Sequence, residues 1–379
     1  MRRRCGPGVI VVLLAAAATD AAACPFCGAV GPSLAERRDA ADVVAVGESQ
    51  SAADPAAPGR LTQRFRIDQR LRGDEPFTRG SLVTADVDRA VDGTAVLFGS
   101  GEAAAIRWRA VAADELLLGH IAAAPSITRP APERLRWFAR RLEHPDPDIA
   151  ADAFAEFGRA DFAAVRAAAD EVDPAVLREW VGADGIDGRR RGLYGLLLGI
   201  AATEAADPQV SRACVATLER TLDTPADDFR AGFDGILAGL LVAEGSRGLD
   251  ALARRGLFSA AARPLDQKHL LAALRFAAES LADTIPRERI VAATADLLER
   301  PAVSADAATD LARYAAWDAC PRVSRLWDGP GRDDPLIRRA VAGYLAACPL
   351  PAARDEIERI RARDPERLRQ ALEAAKLPR

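Results

Sequence analysis

A recurring helical segment does most to limit the folds open to this chain. In its C-terminal two thirds, runs of apolar and small residues at helical spacing begin near positions 190, 229, 270, 305 and 336, so their starts are roughly 31 to 41 residues apart. A repeat of this length is typical of helical hairpins that bury their apolar faces against one another. We therefore expect an all-α repeat region of the HEAT-like type over residues 126–379, beginning after a proline-containing segment and ending in a single helix over 355–374.

Glycines within these helical runs indicate how closely the helices approach each other. They stand at packing spacing in two neighbouring segments, at Gly192 and Gly195 and at Gly232, Gly235 and Gly239. Each glycine inside a helix costs about 1 kcal/mol relative to Ala. So many of them predict close contact between helix backbones, which fits an Ala-rich chain with only 5% aromatic residues.

Residues 24–125 have a different pattern, one of short strands. Phe65, Ile67 and Leu71 alternate with charged residues, which predicts a strand with one buried face. Comparable runs occupy 43–47, 83–87, 94–98 and 106–109, and 49–60 is predicted to be a loop. A helix over 33–40 with Ser33 as N-cap and Glu36 three residues later precedes them. The expected fold class is α+β and multidomain, a small N-terminal β-barrel followed by an all-α HEAT-like solenoid.

Residues 1–23 have the pattern of a secretory signal peptide. Three arginines are followed by an apolar run of about ten residues and by small residues at 21–23. The run is shorter than the ~20 residues of a transmembrane helix. We expect export to a periplasmic, extracellular or cell-surface location without a transmembrane segment. A lipid anchor on Cys24 is a less favoured alternative, because Ala21 stands where a lipobox usually has Leu.

Cysteines in an oxidising compartment tend to pair. Cys24 and Cys27 form a C-x-x-C motif that predicts a local disulfide, and the alternative is a redox dithiol. Cys320 and Cys348 fall in adjacent helical units, so they are predicted either to bridge the C-terminal end or to be buried as small apolar residues. No metal site is expected, because the three histidines lack metal-ligand spacing.

The strand region resembles a known family. Cys24 and Cys27, followed by the runs ADVVAVG at 41–47, FRIDQRLRG at 65–73 and TAVLF at 94–98, resemble the netrin-like modules of the tissue inhibitors of metalloproteinases. The resemblance covers about a quarter of the chain and implies an OB-like barrel. In those inhibitors the first cysteine chelates a protease zinc from a C-x-C context, whereas here the spacing is C-x-x-C.

A wider resemblance spans nearly the whole mature chain. The runs CPFC at 24–27, RGLYGLLLG at 191–199, FRAGFDG at 229–235 and LAACP at 345–349 are similar to those of uncharacterised secreted proteins of planctomycete bacteria. That family implies the same architecture and compartment and brings no known activity.

The sequence favours binding over catalysis. It contains no motif of a nucleotide-binding, metalloprotease, hydrolase or calcium site, and its net charge of −4 argues against coating nucleic acid. Candidate binding residues are Arg190 and Arg191, which could hold an anion or could instead form a solvated helix start. Arg230 and Asp234 are further candidates, which could line a concave binding surface.

The first prediction is an exported, non-catalytic scaffold or binding module that uses the helical-repeat surface to bind a protein or peptide, without a cofactor. The alternatives are a periplasmic thiol–disulfide oxidoreductase that uses Cys24 and Cys27, and a netrin-like protease inhibitor.

Overall fold

The computed structural model describes residues 30–73, 77–101, 105–225 and 230–376. Six strands lie in the N-terminal part of these residues. They are β1 (Val43–Ser49), β2 (Asp54–Ala57), β3 (Arg60–Arg72), β4 (Leu82–Val87), β5 (Thr94–Ser100) and β6 (Arg107–Ala112).

Five of the strands close into a barrel, as the sequence pattern predicts. Their order around the barrel is β1, β5, β6, β4 and β3, and β3 pairs again with β1. The β4–β6 pair is parallel, whereas the other pairs are antiparallel. The interior is filled by residues that alternate along the strands, among them Phe65, Ile67, Leu97 and Trp108. The alternation of apolar and polar residues therefore fixes which side of each strand is buried.

Two details of the strand predictions are wrong. The segment predicted as a loop contains β2 and the start of β3, which pair with each other. Leu71, predicted to be buried, is 45% exposed. The register of β3 on β1 shifts here, since Arg70 pairs with Ala45 and Arg72 with Val44. Leu71 has no partner in this bulge, so the period of two breaks at this residue.

Seventeen helices account for most of the rest of the described chain. They are α1 (Leu34–Ala40), α2 (Glu115–Ala123), α3 (Ala131–Ala139), α4 (Pro147–Arg159), α5 (Phe162–Ala167), α6 (Pro174–Gly182), α7 (Gly188–Glu204), α8 (Pro208–Asp223), α9 (Phe233–Glu244), α10 (Ser246–Arg254), α11 (Pro264–Ser280), α12 (Arg287–Asp296), α13 (Ser304–Arg313), α14 (Cys320–Asp328), α15 (Pro335–Ala347), α16 (Pro351–Arg363) and α17 (Pro365–Ala375). Short 3₁₀ helices occupy Ala169–Glu171, Leu297–Glu299, Trp317–Ala319 and Pro330–Arg332.

Aspartate and proline set many of the helix starts. Asp146, Asp173, Asp207 and Asp334 each cap a helix through the side chain, and each is followed by proline at the first helical position. The prediction of a single terminal helix over 355–374 is wrong, and a proline is the reason. Pro365 cannot continue a helix, because it lacks an N–H, and it disfavours helical backbone at the residue before it. The chain therefore forms α16 and α17 instead.

The helices are stacked in an alternating pattern. Each of several odd-numbered helices packs on the next odd-numbered one: α3 on α5, α5 on α7, α7 on α9, α9 on α11, α13 on α15 and α15 on α17. One continuous set of buried residues extends from Leu135 in α3 to Leu368 in α17. Among the described residues, no helix has both the length and the apolar character needed to cross a membrane.

Backbone contact is closest between α7 and α9. A methyl group added at Gly239 would lie 2.1 Å from the carbonyl oxygen of Gly195, and one at Gly235 would lie 2.2 Å from that of Gly192. Real Cβ atoms do not approach other atoms this closely. The glycine pattern therefore correctly predicts helices that touch along their main chains.

The barrel is joined to the helices through α1, α2 and α4. Leu34 of α1, Val44 and Phe98 of the barrel, Leu117 of α2 and Ile149 of α4 lie in one buried cluster. Since this cluster draws side chains from the barrel and from three helices, it fixes one barrel face against the helical region.

Candidate binding cleft between the barrel and the helices

A cleft of about 690 Å³ lies where the barrel meets the helical region. Its walls come from the segment leading into α1, from the barrel, from α4 and from the start of α7. The lining residues are Val30, Gly31, Pro32, Leu34, Arg37, Asp88, Arg89, Val91, Ala110, Val111, Ala112, Asp148, Ala151, Asp152, Phe154, Ala155, Asp187, Arg189 and Arg190. Partly buried apolar side chains such as Val30 and Val111 share this lining with charged ones, which is the usual character of a ligand site.

Two carboxylates of α4 fasten α1, and with it one wall of the cleft. Asp152 Oδ1 accepts the Leu34 N–H at 2.5 Å, and Asp152 Oδ2 lies 2.8 Å from His120 Nε2. Because Leu34 is the first residue of α1, Asp152 satisfies a helix N–H that has no partner within the helix. The negative charge also complements the positive end of the α1 dipole.

Glu156, one turn further along α4, holds the same helix end. Its Oε1 accepts the Ser33 hydroxyl at 2.5 Å, and its Oε2 lies 3.1 Å from Arg134 Nη2. Burial raises the pKa of Glu156, although these two partners oppose the shift. Ser33 also forms the predicted capping box with Glu36. This buried, hydrogen-bonded network holds the wall in one position.

Ion pairs cover much of the charged rim. Asp88 lies 2.6 Å from Arg109, and Arg89 lies 3.6 Å from Asp148 across the junction of barrel and α4. These pairs are exposed, so each contributes little to stability, on the order of 0 to 1 kcal/mol. Their effect is to leave few free charges at the mouth of the cleft.

The residues singled out in the sequence have separate places. Arg190 lines the cleft and pairs with Glu143 at 3.3 Å. Arg191 donates to a backbone carbonyl at 2.7 Å. Arg230 lies outside the cleft and forms a two-pronged, largely buried ion pair with Asp266. Asp234 is on α9, with a carboxylate oxygen 3.5 Å from His269 Nδ1. The structure therefore brings only the first of the four candidates to the cleft.

The cysteine candidates are described only in part. Cys320 and Cys348 are buried free thiols, and burial is the main cause of the raised pKa of Cys320, with a smaller effect from Cys348 beside it. Their pairing under oxidising conditions stays a prediction. Cys24 and Cys27 lie outside the described residues, so thiol exchange and protease inhibition also stay predictions.

Sequence reasoning missed the cleft residues Arg37, Arg89 and Asp148. Arg37 lies on α1, Arg89 between β4 and β5, and Asp148 on α4. None belongs to a motif, so no local signal marks them. The described lining includes no Ser, Thr, Cys, His, Tyr or Lys, so its four aspartates are the only side chains there of a type that forms covalent intermediates.

No grouping of three or more potential ligands that could hold a metal ion occurs among the described residues. No protein-family model, curated protein or solved structure matches the chain.

Proposed function

We propose that this protein is a non-catalytic binding protein that takes a short segment of a partner protein into the cleft between its barrel and its helices. The observation that carries the proposal is the cleft itself. It combines about 690 Å³ of volume, an apolar lining and a charged rim, and α4 holds one of its walls through buried hydrogen bonds. A preformed site of this kind binds with little ordering cost.

The architecture supports the finer assignments that belong to this proposal. The strand order, with one parallel pair, is that expected of a five-stranded Greek-key barrel of the OB type. The packing of helices on their next-but-one neighbours supports HEAT-like hairpin repeats, which often serve as protein-binding scaffolds. The signal-peptide pattern over residues 1–23 makes export part of the proposal, although that segment is outside the described residues.

A selection from a phage-displayed library of random peptides tests this function. Ala151 is exposed on the cleft side of α4, so Ala151→Trp fills the cleft without disturbing the core. The matched control is Ala292→Trp, at an exposed position on α12 away from the cleft. We expect peptides selected on the wild type to bind Ala151→Trp at least about tenfold more weakly and to bind the control unchanged. Peptides that bind all three proteins equally, or a selection that enriches no peptide, would refute the proposal.

A further inference from the structure

Arg37 has an unusual position in the cleft wall. It is half-buried on α1, and its Nε donates to the Pro32 carbonyl at 3.2 Å. No described carboxylate lies within ion-pair distance of it. Burial, and after it the Arg109 guanidinium, lowers the pKa of Arg37. A guanidinium has five N–H donors, and among the described residues only the Pro32 carbonyl accepts a hydrogen bond from that of Arg37.

The acidic residues of the rim are already engaged. Asp88 pairs with Arg109, and Asp148 pairs with Arg89. Asp88 acts on Arg37 only from a distance, as a minor influence on its pKa. These two carboxylates therefore leave the Arg37 guanidinium without a direct counter-ion.

The remaining carboxylates of the lining are committed to helix ends. Asp152 accepts the first N–H of α1 and contacts His120. Asp187 caps α7 by accepting the backbone N–H of Arg189 at 2.9 Å. Each acid in the described lining thus has a partner of its own. Among the described arginines of the lining, Arg37 is the one that is half-buried and has no carboxylate partner, whereas Arg189, which also has none, is exposed.

We propose that the cleft recognises one carboxylate of its peptide ligand through the guanidinium of Arg37, while an adjacent aliphatic side chain of the peptide packs on Val30 and Val111, which are only partly buried. This inference rests on the proposed function. The planar fork of arginine matches a carboxylate in two parallel hydrogen bonds. A dianionic phosphate is disfavoured, because four aspartates line the same cleft and repel the additional charge.

The test uses the peptides that the library selection yields. For each, the acidic side chains are changed to their amides in one synthetic version, and the C-terminal carboxylate is amidated in another. We expect one of these changes to weaken binding to the wild type about tenfold or more, because a charge-assisted hydrogen bond is lost. With Arg37→Gln the original peptide should bind as weakly as its neutral version, so that the further effect of neutralisation is less than about twofold. Arg37→Lys should recover only part of the affinity, since it retains the charge and loses the fork.

The outcomes distinguish failure of carboxylate recognition from failure of the proposed function. Neutral peptides that bind as tightly as charged ones, and that Ala151→Trp still blocks, would overturn carboxylate recognition and leave cleft binding intact. Peptides that bind Ala151→Trp as tightly as they bind the wild type would overturn both carboxylate recognition and the proposed function. The melting temperature of Arg37→Gln shows whether it is folded, and if it is not, the peptide changes on the wild type decide the question alone.

Discussion

The close contact between α7 and α9 predicts that Gly239→Ala destabilises the protein. Inside an ordinary helix the change from glycine to alanine stabilises by about 1 kcal/mol. At Gly239 the new methyl group would lie 2.1 Å from the carbonyl oxygen of Gly195, a backbone atom that cannot rotate away. The two helices must separate by roughly 1 Å to restore ordinary contact, and they lose packing along their whole length.

We expect this separation to outweigh the gain in helix propensity. Overpacking of this kind costs about 1 to 3 kcal/mol and occasionally more, and a forced shift of two backbones belongs at the upper end. The net loss should be about 2 to 3 kcal/mol, which for a region of this size lowers the melting temperature by roughly 4 to 12 °C. Thermal unfolding followed by far-UV circular dichroism measures the effect.

Two further glycines provide matched controls. Gly119 is exposed in the middle of α2, and an added methyl group there would meet nothing within 4 Å. Gly119→Ala should therefore raise the melting temperature by about 2 to 4 °C. Gly195→Ala should cost less than Gly239→Ala, because its closest contact is the flexible end of Ile236. If Gly239→Ala is as stable as Gly119→Ala, the backbone contact between α7 and α9 is wrong.

Two other predictions concern charge and backbone strain. Burial favours the neutral form of Asp39, but hydrogen bonds from Arg38 and the Ile127 N–H outweigh it and lower the pKa to about 2. Because its pKa is lowered, the Asp39 carboxylate stabilises the fold above its unfolded pKa of 3.8, and this stabilisation is lost as the pH falls through 2. Asp39→Asn should therefore reduce the free energy of unfolding by about 2 kcal/mol at pH 7, and by progressively less towards pH 2, in urea unfolding. A loss of stability that does not depend on pH would contradict this. Ala315 has φ of 50°, a left-handed conformation that costs an L-residue about 1 kcal/mol or more. Ala315→Gly should therefore stabilise the fold by about 0.5 to 1 kcal/mol. The control, Ala292→Gly at an exposed position within α12, should destabilise it by a similar amount. Equal effects of the two glycine substitutions would show that φ at Ala315 is not strained.

Local patterns predicted the kinds of element and the positions of several of them. Ser33 and Glu36 mark the start of α1, and the structure shows the complete capping box. The glycines of the helical region likewise predict the backbone contact that Gly235 and Gly239 make with α7. These features depend on residues a few positions apart, so the chain itself contains the information. The failures also have local causes, the bulge that exposes Leu71 and the helix break at Pro365.

The cleft could not be predicted in the same way. Its residues Arg37, Arg89 and Asp148 are separated by more than 50 positions from one to the next, and only the docking of α1 and of the barrel onto α4 brings them together. That docking depends on Asp152 and Glu156, two acidic residues whose sequence pattern is that of a solvated helix face.

The sequence by itself determined that this chain forms short strands followed by stacked helices, because period, capping and glycine spacing act over one or two turns. Only the tertiary structure decided which strand closes the barrel and which half-buried arginine of the cleft is left without a counter-ion. Closure of the barrel and burial of charge are set by contacts between distant segments, and the free energy of a buried guanidinium depends on every group around it.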